Sequence, residues 1–203
     1  MANRLILNVR EINSIRSAVL ISHKGWDNNK RLDSVKRKIK DLSMLKTYDN
    51  CCYCGRNIHG EFRMVLDIEH ILPKSLCLKH MFTMKNLSVS CKRCNMNIKK
   101  NRIDFLNVDI VTASRSFKSK HYKFIHPNVD NYDAHLLLNC IQRGRAIIKK
   151  YSVVNESSKG YFNYNYFQLE ALEKNSFDEG QGGRNRSEIN NSKVRDMFER
   201  LTL

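Results

Sequence analysis

Two cysteine pairs, Cys51 with Cys54 in NCCYCG and Cys91 with Cys94 in SCKRCN, are spaced as C-x-x-C knuckles. Each knuckle lets two thiolates reach one ion. Together the two complete a closed tetrahedral four-cysteine site of the structural kind, for which zinc is the expected metal. Between them runs LDIEHILPKS, residues 66–75, an apolar stretch that carries Asp67, Glu69 and His70 and is stopped by Pro73. A metal staple across this interval brings the acids and the histidine toward Asn95, the residue after Cys94. A carboxylate and an amide oxygen are hard ligands suited to a divalent cation, and an imidazole that is neutral near pH 7 can accept a proton. Taken singly, each residue has an ordinary reading as a buried thiol or a packed polar group. Their order and coincidence point to chemistry.

These groups need elements to hold them. Val65 to Leu72 and Leu87 to Ser90 read as short strands, and the segment after Cys91 has few breakers and reads as a helix. Upstream, Leu32, Val35, Ile39, Leu42 and Leu45 recur at three- and four-residue steps over 31–48, with Lys36, Arg37, Lys38 and Lys40 between them, which predicts an amphipathic helix with a basic outer face. Downstream, DAHLLLNCIQRGRAIIKKY (133–151) reads as a strand or short helix followed by a second apolar segment. Residues 160–172 are aromatic-rich and then helical. The run DEGQGGRNR is a Gly-rich linker before a last helix with Val194, Met197, Phe198 and Leu201. Cys52 lacks the spacing of Cys51, and Cys77 and Cys140, without partners, read as buried small hydrophobes. His126, Asp130 and His135 read as a turn around Pro127 with a capping Asp rather than as a second site. The Tyr161 to Phe167 string reads as core packing.

The order E-H-I-L-P, then N-L-S-V-S-C-K-R-C-N, flanked by C-x-x-C knuckles, resembles the HNH endonucleases with their ββα-metal fold. The resemblance covers residues 50–102 and is nearest to the zinc-stapled branch, which includes phage junction-resolving endonucleases. It implies an α+β fold: a mainly helical chain built around a zinc-stapled ββα-metal (HNH) core. The regions expected are a helical N-terminal region (1–49), the nuclease core (50–105), a C-terminal helical extension (106–177), and a linker with a terminal helix (178–203). It further implies that His70 is the general base, that Glu69 and Asn95 hold a catalytic Mg²⁺ or Mn²⁺, and that Asn86 clamps the loop fixing the imidazole. The position before the histidine is usually Asp or His in this family, so Asp67 is a further candidate for the ion beside Glu69. Asn97, with Lys100 three residues on, rivals Asn95. The segment YKFIHPNVDNYDAHLLLN resembles, more loosely, bacterial antiphage HNH nucleases of the Septu and retron-associated type.

Lys and Arg outnumber Asp and Glu by 36 to 20, a net charge of +16. That excess predicts a polyanionic partner, with DNA ahead of RNA because no RNA-binding module is recognisable. Lys92, Arg93, Lys99, Lys100 and Arg102 around the helix start are the expected phosphate contacts. No apolar run approaches the length of a membrane span and no secretory leader is recognisable, so a cytoplasmic protein with no membrane role is expected. Such a basic nuclease needs restraint, which suggests control by a partner, and the resemblance to antiphage nucleases implies a defence effector governed by a regulatory ATPase or sensor protein. A zinc-structured nucleic-acid-binding module without catalysis, and an RNase using the same site, are the competing readings.

Overall fold

The computed structural model describes residues 4–27, 29–61, 66–110, 113, 115–144 and 146–173, together with Met197 and Arg200. The chain divides into two compact units, Met1–Asp130 and Asn131–Leu203. Among the described residues no helix is long and apolar enough to cross a membrane.

In the first unit, helix α1 (Val9–Ile21) starts at a reciprocal cap. The Asn8 side chain accepts from Glu11 N at 2.9 Å, and the Glu11 carboxylate accepts from Asn8 N at 2.8 Å, which satisfies two backbone donors that a helix start leaves open. Helix α2 (Asp33–Lys46) follows a short 3₁₀ turn. Leu32, Val35 and Ile39 enter one core with Ala18, Trp26, Met81 and Leu87. The helix ends before the expected residue 48 because Tyr48 and Asp49 adopt left-handed backbone, φ 50° and 55°.

Strand β1 (Leu66–His70) pairs antiparallel with β2 (Leu87–Cys91), from Leu66 opposite Cys91 to His70 opposite Leu87. All five residues of β2 are buried. Among the described residues the sheet has these two strands, and no further strand pairs with the other edge of β1. After β2 the chain enters a wide helical turn, Arg93–Lys99, closed by Lys100 N donating to Asn95 O at 2.8 Å. This spacing of five residues is that of a π-helix, a form that recurs at functional sites. The strand–loop–strand–helix order expected for residues 66–99 is therefore present.

Residues 106–130 fold with this first unit and do not begin a separate extension at 106. Leu106 bridges to Tyr122, Lys123 N donates to Phe105 O at 2.8 Å, and Phe124 packs tilted against Phe105 and edge-on against Tyr53 of the first knuckle.

The second unit corrects the expected helical extension over 106–177 in another way. Its main element is a β-hairpin, β3 (Leu136–Arg143) and β4 (Ala146–Val153), paired from Leu136 opposite Val153 to Arg143 opposite Ala146. The physical reason lies in the two-residue turn, where Gly144 takes φ +59°, and in the β-branched and aromatic residues of AIIKKYSV. Helix α3 (Ser158–Tyr166) is capped by Ser157, whose hydroxyl accepts from Gly160 N at 3.1 Å. The aromatic string packs, as Phe162 on Tyr166 at 5.3 Å and Tyr151 with Tyr164 at 6.3 Å, although Tyr161 is exposed. The expected boundary at 177 and the Gly-rich linker lie outside the described residues, as does the expected terminal helix apart from Met197 and Arg200.

Candidate functional site

Cys51, Cys54, Cys91 and Cys94 are all buried, and their four Sγ atoms lie within 4.8 Å of one another. Cys54 Sγ and Cys91 Sγ are 3.9 Å apart. Zinc–thiolate bonds of roughly 2.3 Å place tetrahedral sulfurs about 3.8 Å apart, so the donor set fits a four-coordinate metal of that size. The local fold makes the cluster. Gly55 N donates to Cys51 O at 2.9 Å and tightens the first knuckle, Cys52 N donates to Val89 O at 3.0 Å and ties it to β2, and Cys91 N donates to Cys51 Sγ at 3.3 Å. Mutual hydrogen bonds push the Cys91 thiol down and the Cys54 and Cys94 thiols up from the ordinary thiol range. Cys52 is buried outside the group; Cys77 is buried too, but Cys140 is exposed on β3, contrary to its reading as a buried hydrophobe.

A cleft of about 800 Å³ runs along β1 and is lined by all five of its residues, Asp67, Glu69 and His70 among them. One wall is α2, with Asp33, Lys36, Arg37 and Lys40; the opposite side carries Asn95, Met96, Lys100 and Asn101. Strand alternation puts Asp67 and Glu69 on one face, about 6.7 Å apart. Asn95 and Lys99, one helical turn apart, match that spacing. Asn95 Nδ2 donates to Asp67 Oδ2 at 3.1 Å, and Lys99 Nζ lies 2.7 Å from Glu69 Oε1. Asn97, the rival to Asn95, is exposed and does not line the cleft.

Glu69 is 2% exposed. Tyr53 Oη donates to the same Oε1 at 3.0 Å, which leaves Oε2 without a protein partner among the described residues. Burial pushes the Glu69 carboxyl up, against the opposing pull of Lys99 and the Tyr53 hydrogen bond. Asp67 is more open, with Lys92 Nζ 3.7 Å from its Oδ1. The two acids flagged by the sequence thus have different settings: Glu69 anchored and desolvated, Asp67 at the cleft surface. Among the described residues, no second group of metal-ligating side chains closes to the spacing of the cysteine cluster.

His70 sits on the opposite strand face. Its Nε2 lies 3.0 Å from Met81 O. A carbonyl oxygen only accepts, so Nε2 carries the hydrogen and Nδ1 of the neutral ring keeps its lone pair. Burial holds the imidazole down to about 4, opposed in part by the Met81 hydrogen bond, so the ring is neutral at pH 7. Trp26 meets it edge-on at 4.5 Å between centroids. Asn86, fully buried, closes the 71–86 loop: its Oδ1 accepts from Leu72 N at 2.7 Å, and its Nδ2 donates to Leu72 O at 3.0 Å and His80 O at 3.1 Å. The loop that presents Met81 O to His70 is thereby fixed.

Of the expected phosphate contacts, Lys99 must be withdrawn. Its side chain is 1% exposed and is ion-paired to Glu69, because the wide turn rotates it onto β1. Lys92 and Lys100 are exposed and Arg93 is half-buried, while Arg102 pairs with Asp104 at the surface. The sequence reading did not place Lys36, Arg37, Lys40 and Lys74 in the same cleft as the acids. It also missed Trp26, although the chain's single tryptophan beside a glycine was a visible signal. Gly25 lets this turn lie against α1, since a Cβ there would fall 2.1 Å from Ala18 O. His126 and Asp130 close a turn, with His126 N donating to Asp130 Oδ2 at 2.7 Å. His135, in the second unit, has its Nδ1 2.6 Å from Ser157 Oγ.

No family model matches the sequence, and no curated protein matches it.

Proposed function

We propose that the protein is a metal-dependent HNH-type endonuclease that hydrolyses phosphodiester bonds in DNA, with the four cysteines holding a structural zinc ion. The observation that carries this reading is the placement of His70. The ring, oriented by Met81 O and met edge-on by Trp26, keeps an Nδ1 lone pair and lines the same cleft as Asp67, Glu69 and the basic residues of α2. That is the equipment of a general base for water.

In the proposed reaction a water oxygen attacks phosphorus, His70 Nδ1 takes the water's proton, and the bond to the 3′ oxygen breaks. Arg37, Lys40 and Lys100 would hold the flanking phosphates from the two sides of the cleft. Glu69 Oε2, Asp67 and the Asn95 amide oxygen are the hard donors available for Mg²⁺ or Mn²⁺, with water completing the coordination, as suits Mg²⁺. A bound cation would supply neutralisation of charge at the scissile phosphate and the departing oxygen. Asn86 acts at one remove, through the loop that orients His70. A role as an antiphage effector governed by a regulatory ATPase or sensor protein belongs to the same proposal and rests on the family resemblance.

The test is incubation of wild type and His70→Ala with plasmid, single-stranded DNA and RNA, in Mg²⁺, Mn²⁺ or chelator. Wild type should cleave DNA only with the cation present. His70→Ala should lose about 10²- to 10⁴-fold in rate while still binding DNA and retaining zinc. Equal cleavage by the two proteins would overturn the mechanism, binding without cleavage by wild type would favour a binding module, and cleavage confined to RNA would favour the RNase.

A further inference from the structure

We propose that Lys99 is a positioning residue that fixes the Glu69 carboxylate, turning Oε2 toward the cation, and ties that carboxylate to the backbone of His70. The proposal rests on the nuclease reading above and concerns a residue that reading does not use. Lys99 Nζ has three acceptors: Glu69 Oε1 at 2.7 Å, His70 O at 3.0 Å and Lys100 O at 3.3 Å. An ammonium has three donors, so the group is saturated. It also lies 5.6 Å from the centroid of the Phe105 ring.

Stability alone is a poor reason for such a pair. Removing two charges from water is costly, and an apolar replacement of similar volume is often as stable. Geometry gives a better one. Tyr53 and Lys99 both engage Oε1, so the carboxylate cannot rotate without breaking two contacts. Its second oxygen is left for a ligand at the cleft. The third contact, on His70 O, comes from the same nitrogen, so one buried atom sets the relative placement of the candidate cation ligand and the candidate base. Outer contacts of this kind orient metal-binding carboxylates.

The readout is Mn²⁺ binding by titration calorimetry on the zinc-loaded full chain, alongside cleavage rates. Lys99→Met should weaken Mn²⁺ binding about 10- to 100-fold with zinc content unchanged. In a Glu69→Gln background the same substitution should cause no further loss, because Lys99 acts through that carboxylate. Wild-type Mn²⁺ affinity in Lys99→Met, or equal losses with and without Glu69, would overturn the proposal. If Lys99→Met does not fold, Tyr53→Phe removes the other donor to Oε1 and should weaken Mn²⁺ binding in the same direction. Unchanged affinity there would also overturn it. A wild type that neither takes up Mn²⁺ nor cleaves DNA would instead refute the nuclease reading itself, a result distinct from intact wild-type binding with unaffected variants.

Discussion

The β1–β2 sheet supports two different kinds of site. At the Leu66–Cys91 end, four buried donors of one type close on one another within 4.8 Å. Along β1, a mixed set of carboxylate, amide and imidazole opens on a cleft, and among the described residues its acids and histidine are not drawn into such a group. A saturated set leaves no position for a substrate, so it suits structure. An unsaturated set, with an imidazole nitrogen and a carboxylate oxygen still to be used, leaves room for water and phosphate. The five-residue strand β1 joins the two, so the closed site stiffens the support on which the open one depends.

The sharpest way to break this comparison is at the closed end. Cys54→Ser removes one of four metal ligands, and metal binding by such motifs is largely folding free energy. The variant should lose zinc, melt far earlier than wild type and lose cleavage as a consequence. A metal assay with circular dichroism checks this, and a metal-free variant that melts normally would contradict it. The open end should respond differently. Asn86→Ala leaves Leu72 N, Leu72 O and His80 O without their partner, at about 1–3 kcal/mol for each buried group left unsatisfied. Its zinc content should be normal while denaturant stability and cleavage rate both fall. Unaltered cleavage in a folded Asn86→Ala protein would separate the loop from the proposed base.

A smaller effect is expected in the helical cover that walls the cleft. Glu11 ties α1 to α2 through Lys38 Nζ at 2.8 Å and Ser34 Oγ at 2.5 Å. Lys38, Ser34 and the Asn8 N–H hold its carboxyl down to about 2 from an ordinary value of 4.5. The folded form therefore binds fewer protons than the unfolded chain between these values. The stabilisation is complete above about pH 4.5 and is lost as pH falls toward 2. Melting temperatures of wild type and Glu11→Gln measured across this range should differ most at the upper end and converge at the lower. A constant difference would show that Glu11 acts through packing.

Much of both sites was legible because their signals are local. The C-x-x-C spacing marks a knuckle without reference to anything distant, and the residues it marked are the four that converge. Asn86, which the resemblance pointed to, bonds across the 71–86 loop, and Asn95, singled out beside the second knuckle, meets Asp67. The β-hairpin at 136–153 was less legible: LLLNCIQR fits a strand or a short helix equally well, and pairing with AIIKKYSV decides between them. Cys140 was misread for a related reason, since one cysteine in a short apolar run does not reveal which face of the strand meets solvent.

The sequence by itself determined the donor types, their order and the excess of positive charge, since these are properties of composition and spacing. Only the tertiary structure decided what each donor does. Lys99 looks like one more surface lysine in NIKKNR, yet a wide helical turn carries it inward to Glu69. Lys36, Arg37 and Lys40 look like the solvent face of an isolated helix, yet packing Leu32, Val35 and Ile39 into the core turns them onto the cleft. Trp26 reaches His70 from 44 residues away. A side chain's role depends on what lies opposite it, and contacts across such separations are fixed when the core closes.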